Sequence, residues 1–297
     1  MYWNSLNDAL RRQYGTKVYK LALSSGCTCP NRDGTLGSRG CIFCDGAGAF
    51  AEAGPVRAQI EAAKARVAGK AGPDAKYIAY FQSFTNTYGP VERLRALYTE
   101  AMAPDEIAAL SIATRPDCLG PEVLALLEAL GRQKPVWVEL GLQTIHPASA
   151  AYLRRGYDLE VYDRAVEQLH QIGAQVVVHQ ILGLPGESRE MMAQTARYIG
   201  ASGADGVKFH LLHVLRGTDL AQHWAAGEVP ILTLEEYIDA LEACVRSTPR
   251  HVVIHRLTGD GAKRDLLAPL WSGDKKRVLN AVHHAFALHD VEQGSDL

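Results

Sequence analysis

Cys29, Cys41 and Cys44 fall in the run CTCPNRDGTLGSRGCIFC with the spacing C-x11-C-x2-C, so one segment offers three thiolates to one metal centre. Three sulfur ligands hold three corners of a cubane 4Fe-4S cluster and leave the fourth iron open for a small molecule to chelate. Cys27 stands two residues before Cys29, and the four thiols together also read as a structural zinc site. Zinc knuckles usually bring their ligands as C-x2-C pairs, and only Cys41 and Cys44 form one; Cys27 and Cys29, if extended, project to the same side. Six cysteines in 297 residues are too few for a disulfide scaffold. Cys118 and Cys244 read as small buried apolar groups.

The elements that must position these thiols alternate between β-rich apolar runs and helical periods. Strands are expected at KVYKLAL (17–23), KYIAYFQ (76–82), AALSIAT (108–114), VWVELGL (136–142), AQVVVHQIL (174–182) and GVKFHLL (206–212). Helices are expected between them, two of them opened by Pro55 and Pro90. A further helix at LTLEEYIDALEACVR, a strand-like HVVIHRL and a last helix from about Lys275 to His289 follow. The organisation expected is a helical segment at 1–16, a barrel at 17–230 and an extension at 231–297 packed on it. Strict alternation predicts parallel strands, as a complete or partial barrel or an open doubly wound sheet, with chemistry at the carboxyl ends of the strands. No G-x-G-x-x-G follows the first strand, whereas the cysteine run does, which favours the barrel.

Polar residues collect at those strand ends: Gln82, Ser83, Thr85 and Asn86 after the second, Thr114 and Arg115 after the third, Glu139 and Gln143 on and after the fourth. Gly183, Leu184, Pro185, Gly186 and Glu187 follow the fifth strand as a glycine-rich turn that lets backbone approach a ligand. Alternation in VWVELGL buries the Glu139 carboxylate, which then needs a cationic partner or a hydrogen-bonded ligand. His179, His210 and His213 fall on or near strand ends and are candidates to donate to a substrate carboxylate or to relay a proton. His251 and His255 have i,i+4 spacing, but HVVIH reads as strand, which weakens a metal reading. Asp260 and Arg264 are open candidates in the following loop.

Composition excludes several classes. With 47% apolar residues the chain builds a full core, and no stretch approaches the roughly 20 apolar residues of a membrane span. The first fifteen residues carry no apolar h-region, so a cytoplasmic location is expected, where thiols stay reduced. Net charge is −2, from 31 basic and 33 acidic residues, so any nucleic-acid binding rests on local patches. Such patches are Arg11, Arg12, Lys17 and Lys20; Arg32 and Arg39; Lys263 and Arg264; and Lys275, Lys276 and Arg277, with Tyr88, Tyr157 and Trp271 as aromatic candidates for base stacking.

The motifs TCPNRDGT with GCIFC, YFQSFTNTYGP, TRPDCL, ELGLQTIH with RRGYD, HQILGLPGE, HVLRGTDL, VIHRLTGDG and APLWSGDKKRVLN resemble the YhcC/YtqA-type radical SAM proteins, from about residue 5 to residue 290. Cys27 stands where that family more often has an aromatic residue. The resemblance implies an α/β fold, a partial (β/α)6 TIM-like barrel with a C-terminal strand and helix extension. It also implies a 4Fe-4S cluster on Cys29, Cys41 and Cys44, with S-adenosylmethionine (SAM) on the open iron and reductively cleaved to a 5′-deoxyadenosyl radical. By the same likeness Phe43 lies against the adenine, and Gln82, Ser83 and Thr85 stand at the amino-group-binding strand end. Arg115, Glu139, Gln143 and Arg155 serve the cofactor, with Gly183, Leu184 and Pro185 beside the adenine. The function implied is tRNA wobble-uridine modification, taking a carboxymethylaminomethyl group at carbon 5 to aminomethyl. An external electron donor of flavodoxin or ferredoxin type and a downstream methyltransferase are the partners implied. A small metabolite or a peptide as substrate, and a zinc-binding RNA adaptor without catalysis, are the alternatives.

Overall fold

A computed structural model describes residues 2–46, 54–259 and 263–297. Seven parallel strands form one curled sheet: β1 (Val18–Leu23), β2 (Lys76–Phe81), β3 (Ile107–Thr114), β4 (Val136–Gln143), β5 (Gln175–Leu182), β6 (Gly206–Leu211) and β8 (Val253–Arg256). They stand in chain order across the sheet, each hydrogen-bonded to the next, from Val18 opposite Lys76 to Val207 opposite Ile254. The sheet is thus a half-barrel with a seventh strand, and the run read as HVVIHRL supplies it. β7 (Val214–Leu215) and β9 (Leu266–Ala268) pair antiparallel apart from it.

The helices wrap the outside. They are α1 (Leu6–Tyr14), α2 (Val56–Val67), α3 (Val91–Met102), α4 (Pro121–Gly131), α5 (Pro147–Tyr152), α6 (Leu159–Gln171), α7 (Arg189–Ala201), α8 (Asp219–Ala225), α9 (Leu234–Arg246) and α10 (Lys275–Leu288). Pro55 and Pro90 take the cap position just before α2 and α3, where a proline costs no hydrogen bond. The α9 start is a capping box, in which Thr233 accepts from the Glu236 N–H and the Glu236 carboxylate accepts from the Thr233 N–H. Among the described residues no helix is long and apolar enough to cross a membrane.

Period two on the strands divides the core in two. Leu21, Leu23, Phe81, Leu110, Ile112, Val138, Leu140, Val178 and Phe209 point outward and pack under the helices. The inward set is small or polar: Tyr80, Ser111, Glu139, His179 and Lys208. At the amino-terminal end of the barrel, Leu10 of α1 packs on Ile78, Ala109 and Trp137 and closes the bottom. At the carboxyl end a second cluster of Ile42, Leu153, Ile181, Leu184, Leu212, Val214 and Leu220 supports the cysteine loop.

Candidate active site

The segment after β1 folds back over the carboxyl end of the barrel and is pinned from both sides. Ile42 is buried in the second cluster; its N–H donates to the Leu153 carbonyl at 3.3 Å and its carbonyl accepts from the Leu220 N–H at 3.0 Å. Within the loop the Arg32 N–H donates to Cys29 O at 2.8 Å, Gly40 N–H to Asn31 O at 2.7 Å and Cys44 N–H to Cys41 O at 3.0 Å. Asn31 Nδ2 reaches the Cys41 sulfur at 3.4 Å and the Arg154 carbonyl at 2.8 Å. Arg32 lies inward: a Cβ on Gly46 would fall 2.6 Å from its Nη1, and one on Gly40 2.8 Å from its Nε. Only glycine leaves that room, and both take a positive φ.

Cys29, Cys41, Phe43 and Cys44 line one cavity of about 240 Å³ with Gln82, Thr85, Arg115, Glu139, Gln143, Arg155 and His179. Arg32, Phe84, Thr114 and Tyr157 complete its polar and aromatic wall. Two residues in the lining hold strained backbone, Phe84 at φ 64° and Gln143 at φ 65°, a conformation rare outside glycine and common at ligand sites. The remaining expected residues lie elsewhere. Ser83 is buried beside the cavity with its hydroxyl unpaired among the described residues. The Gly183–Leu184–Pro185 turn is not in the lining; Leu184 packs beneath the loop with Ile42, so its side chain faces core and not ligand. His210 is likewise outside it, its ring 4.9 Å from that of His179.

Cys27 does not face this cavity. It is 6% exposed within the outer core, with Arg93 Nη1 3.6 Å from its sulfur. Cys27 is packed in the core and Cys29 lines the cavity, so the two side chains have separate surroundings, contrary to the same-side expectation. The donor set fits an iron-sulfur cluster. Burial pushes the Cys41 thiol up to about 11, so a thiolate there requires a cation beside it, which iron supplies. Among the described residues no three Cys, His, Asp or Glu groups converge where one metal ion would sit. A cubane takes each thiolate on a different iron and so suits ligands spread over a cavity wall better than a single tetrahedral zinc does.

Arginines flank the thiols. The Arg115 guanidinium grips Asp117 with two bonds of 2.9 and 2.7 Å and stacks on Tyr157 at 5.2 Å. Arg155 lies on the same ring at 4.6 Å and donates to the carbonyls of Thr144 (2.7 Å), Tyr157 (3.1 Å) and Leu142 (3.3 Å). Tyr157 is therefore a clamped wall residue, its hydroxyl donating to Gly141 O, and is not presented for base stacking. Trp271 is likewise packed on Tyr237, with its indole N–H on Leu232 O at 3.1 Å.

Glu139 sits at the cavity floor, fully buried. Its Oε1 accepts from Lys20 at 2.8 Å and Ser111 at 2.7 Å; its Oε2 accepts from His179 Nε2 at 2.8 Å and from Lys208. A carboxylate has about four acceptor sites, and four donors fill them. Glu139 thus has no site left for a cofactor hydroxyl and acts as the hub of a buried network. Its carboxyl lies well below the usual range: burial raises it, and the charges of Lys20 and Lys208 overcome that. Lys20, assigned from the sequence to a phosphate-binding patch, is instead inside the barrel. Lys208 and Ser111 were not singled out at all, although the inward register that buries Glu139 also points them to it.

His179 is corrected by the same bonds. Its N–H is spent on an ionised carboxylate, and burial, then Lys208, push its pKa down to about 4, so it is neutral at pH 7 and presents Nδ1 as an acceptor. Donation to a substrate carboxylate is not open to it. Asp260 lies outside the described residues.

A parallel half-barrel carrying three loop thiols over its carboxyl end defines an α/β iron-sulfur enzyme. Residues 29–199 match the Radical SAM superfamily and residues 204–287 the Radical_SAM C-terminal domain, and the chain belongs to the radical SAM superfamily, whose cofactors are a 4Fe-4S cluster and SAM. Within it the chain is similar to YtqA of Bacillus subtilis (strain 168), 40% identical over 98% of this chain and 92% of that protein. It is 30% identical, over 53% of its length and 29% of the other's, to the tRNA uridine(34) acetyltransferase of Methanocaldococcus jannaschii. The solved structure of Methanocaldococcus infernus Elp3 superimposes with a TM-score of 0.70 at 20% identity, over 93% of this chain and 64% of that one, a likeness of fold.

Proposed function

We propose that this enzyme modifies tRNA at the wobble uridine, converting a carboxymethylaminomethyl substituent at carbon 5 into aminomethyl, with SAM as the net two-electron oxidant and water releasing the two lost carbons as glyoxylate. The observation that carries the substrate class is the likeness, over about half the chain, to a protein named for acting on tRNA uridine 34. When bound, a cluster held by Cys29, Cys41 and Cys44 together with SAM would supply a 5′-deoxyadenosyl radical able to take a hydrogen atom from the carbon between the amine and the carboxylate. The chain's own residues orient and seclude. Phe43 would flank the adenine and Gln82, Thr85, Arg115, Gln143 and Arg155, which line the same cavity, would hold the rest of SAM, with Tyr157 as the wall that excludes water. Exposed Arg11, Arg12, Lys17, Arg39, Lys263, Arg264, Lys275, Lys276 and Arg277 offer phosphate contacts. A flavodoxin- or ferredoxin-type protein supplies the electron in the cytoplasm, and a methyltransferase consumes the product.

The test is the nucleoside profile of tRNA from a strain lacking the enzyme. Carboxymethylaminomethyluridine should accumulate and aminomethyl derivatives fall, with reversal by purified enzyme, reductant and SAM. An unchanged profile contradicts the proposal and turns the search to small metabolites and peptides.

A further inference from the structure

Beneath the cofactor cavity the barrel interior sets two lysines on one carboxylate. Lys20 from β1 and Lys208 from β6 share one carboxylate, Glu139 from β4; the Lys208 side chain is 4% exposed and that of Glu139 not at all. Each ammonium has three donors, of which Glu139 accepts one from each. Lys208 gives a second to the Tyr80 hydroxyl at 3.0 Å, and Lys20 otherwise lies over the faces of Tyr80 and Trp137 at 4.9 and 5.1 Å. Among the described residues this leaves donors on both, within one hydrogen-bond length of the cavity floor. A cation held in such a place without a matching anion is costly.

The neighbours respond in the corresponding sense. Burial first pushes His179, His210 and His255 toward their neutral forms, joined by Lys208 at His179, by His179 and Arg256 at His210 and by Lys20 at His255, while Glu139 is held as the anion. Burial also pulls the Lys208 amine well below the usual lysine range, against the attraction of Glu139. His210 Nε2 and His255 Nδ1 are enclosed and have no partner among the described residues.

We propose that this layer is an anion site for the substrate, in which Lys20 and Lys208 bind a carboxylate that enters past Glu139 and His179. The unfilled N–H donors of Lys20 and Lys208 match the oxygens of a carboxylate. His179, whose Nε2 is used on Glu139, has Nδ1 left as an acceptor for the N–H of the adjacent protonated amine. The inference rests on the proposed function in one respect: a carboxymethylaminomethyl arm carries this pairing of amine and carboxylate, and the aminomethyl product has lost the carboxylate and with it the anchor.

The experiment titrates the full-length, cluster-loaded, SAM-bound enzyme with the nucleoside 5-carboxymethylaminomethyluridine and with its uncharged carboxamide analogue. The acid should bind about tenfold more tightly than the amide in the wild type and in Lys20→Arg. The ratio should fall to about one in Lys20→Met, which keeps the apolar stem over Tyr80 and Trp137, while SAM affinity and iron content hold. Equal or absent binding of the two nucleosides by the wild type overturns the site. A parallel loss of SAM affinity in Lys20→Met also overturns it and assigns the lysines to the cofactor. Selective binding of the acid, with no 5′-deoxyadenosine formed from tRNA that bears it, retains the anion site and rejects the tRNA reading.

Discussion

At the residue scale, two cysteines separated by one threonine belong to different parts of the molecule. Cys27 packs in the outer core against Arg93, and Cys29 lines the cavity. Replacing Cys29, Cys41 or Cys44 by Ala should therefore abolish bound iron, whereas Cys27→Ala should keep it and cost about 1 kcal/mol of stability, measurable by iron analysis and thermal melting. Equal iron loss at Cys27 would overturn the ligand set. His179 gives a pH signature. Its folded pKa, about 4, lies below its unfolded value of 6.5, so the unfolded chain binds the extra proton as pH falls between them. Stability present above pH 6.5 should drop as pH falls toward 4, by about 3 kcal/mol from this group, and His179→Gln should flatten the curve of melting temperature against pH. The cysteine spacing made the metal thiols legible. The partners of Glu139 were not, because a lysine in a short strand has the same appearance in sequence whether it faces solvent or a buried carboxylate.

At the element scale, Glu139 ties four strands through one carboxylate: Lys20 from β1, Ser111 from β3, His179 from β5 and Lys208 from β6. Neutralising it in Glu139→Gln leaves two cations facing an amide, and denaturant unfolding should show a loss of about 3–5 kcal/mol. A change under 1 kcal/mol would mean that the lysines find other partners. The strands themselves were well marked by their apolar runs: β4, expected over 136–142, spans Val136–Gln143, and β5, expected over 174–182, spans Gln175–Leu182. Elements of two or three residues, such as β7 and β9, carry too little periodicity to be read. HVVIHRL was legible as a strand, but its place beside β6 depends on how far the sheet curls, which no local pattern encodes. Lys20 was misplaced for a related reason: β1 is followed by the long cysteine segment, and its inward face is defined only once β2 pairs with it.

At the scale of the whole molecule, the half-barrel sets a cysteine loop over a strained, arginine-walled cavity and a cationic layer beneath it. Three loop thiols that hold a cubane with SAM on its fourth iron give the reduced protein a paramagnetic signature that responds to SAM. The measurement that tests it most directly is the electron paramagnetic resonance spectrum of the anaerobically purified, dithionite-reduced protein, with and without SAM, alongside iron and zinc analysis. A reduced 4Fe-4S signal should be present and should shift when SAM is added. Stoichiometric zinc with no such signal would contradict it.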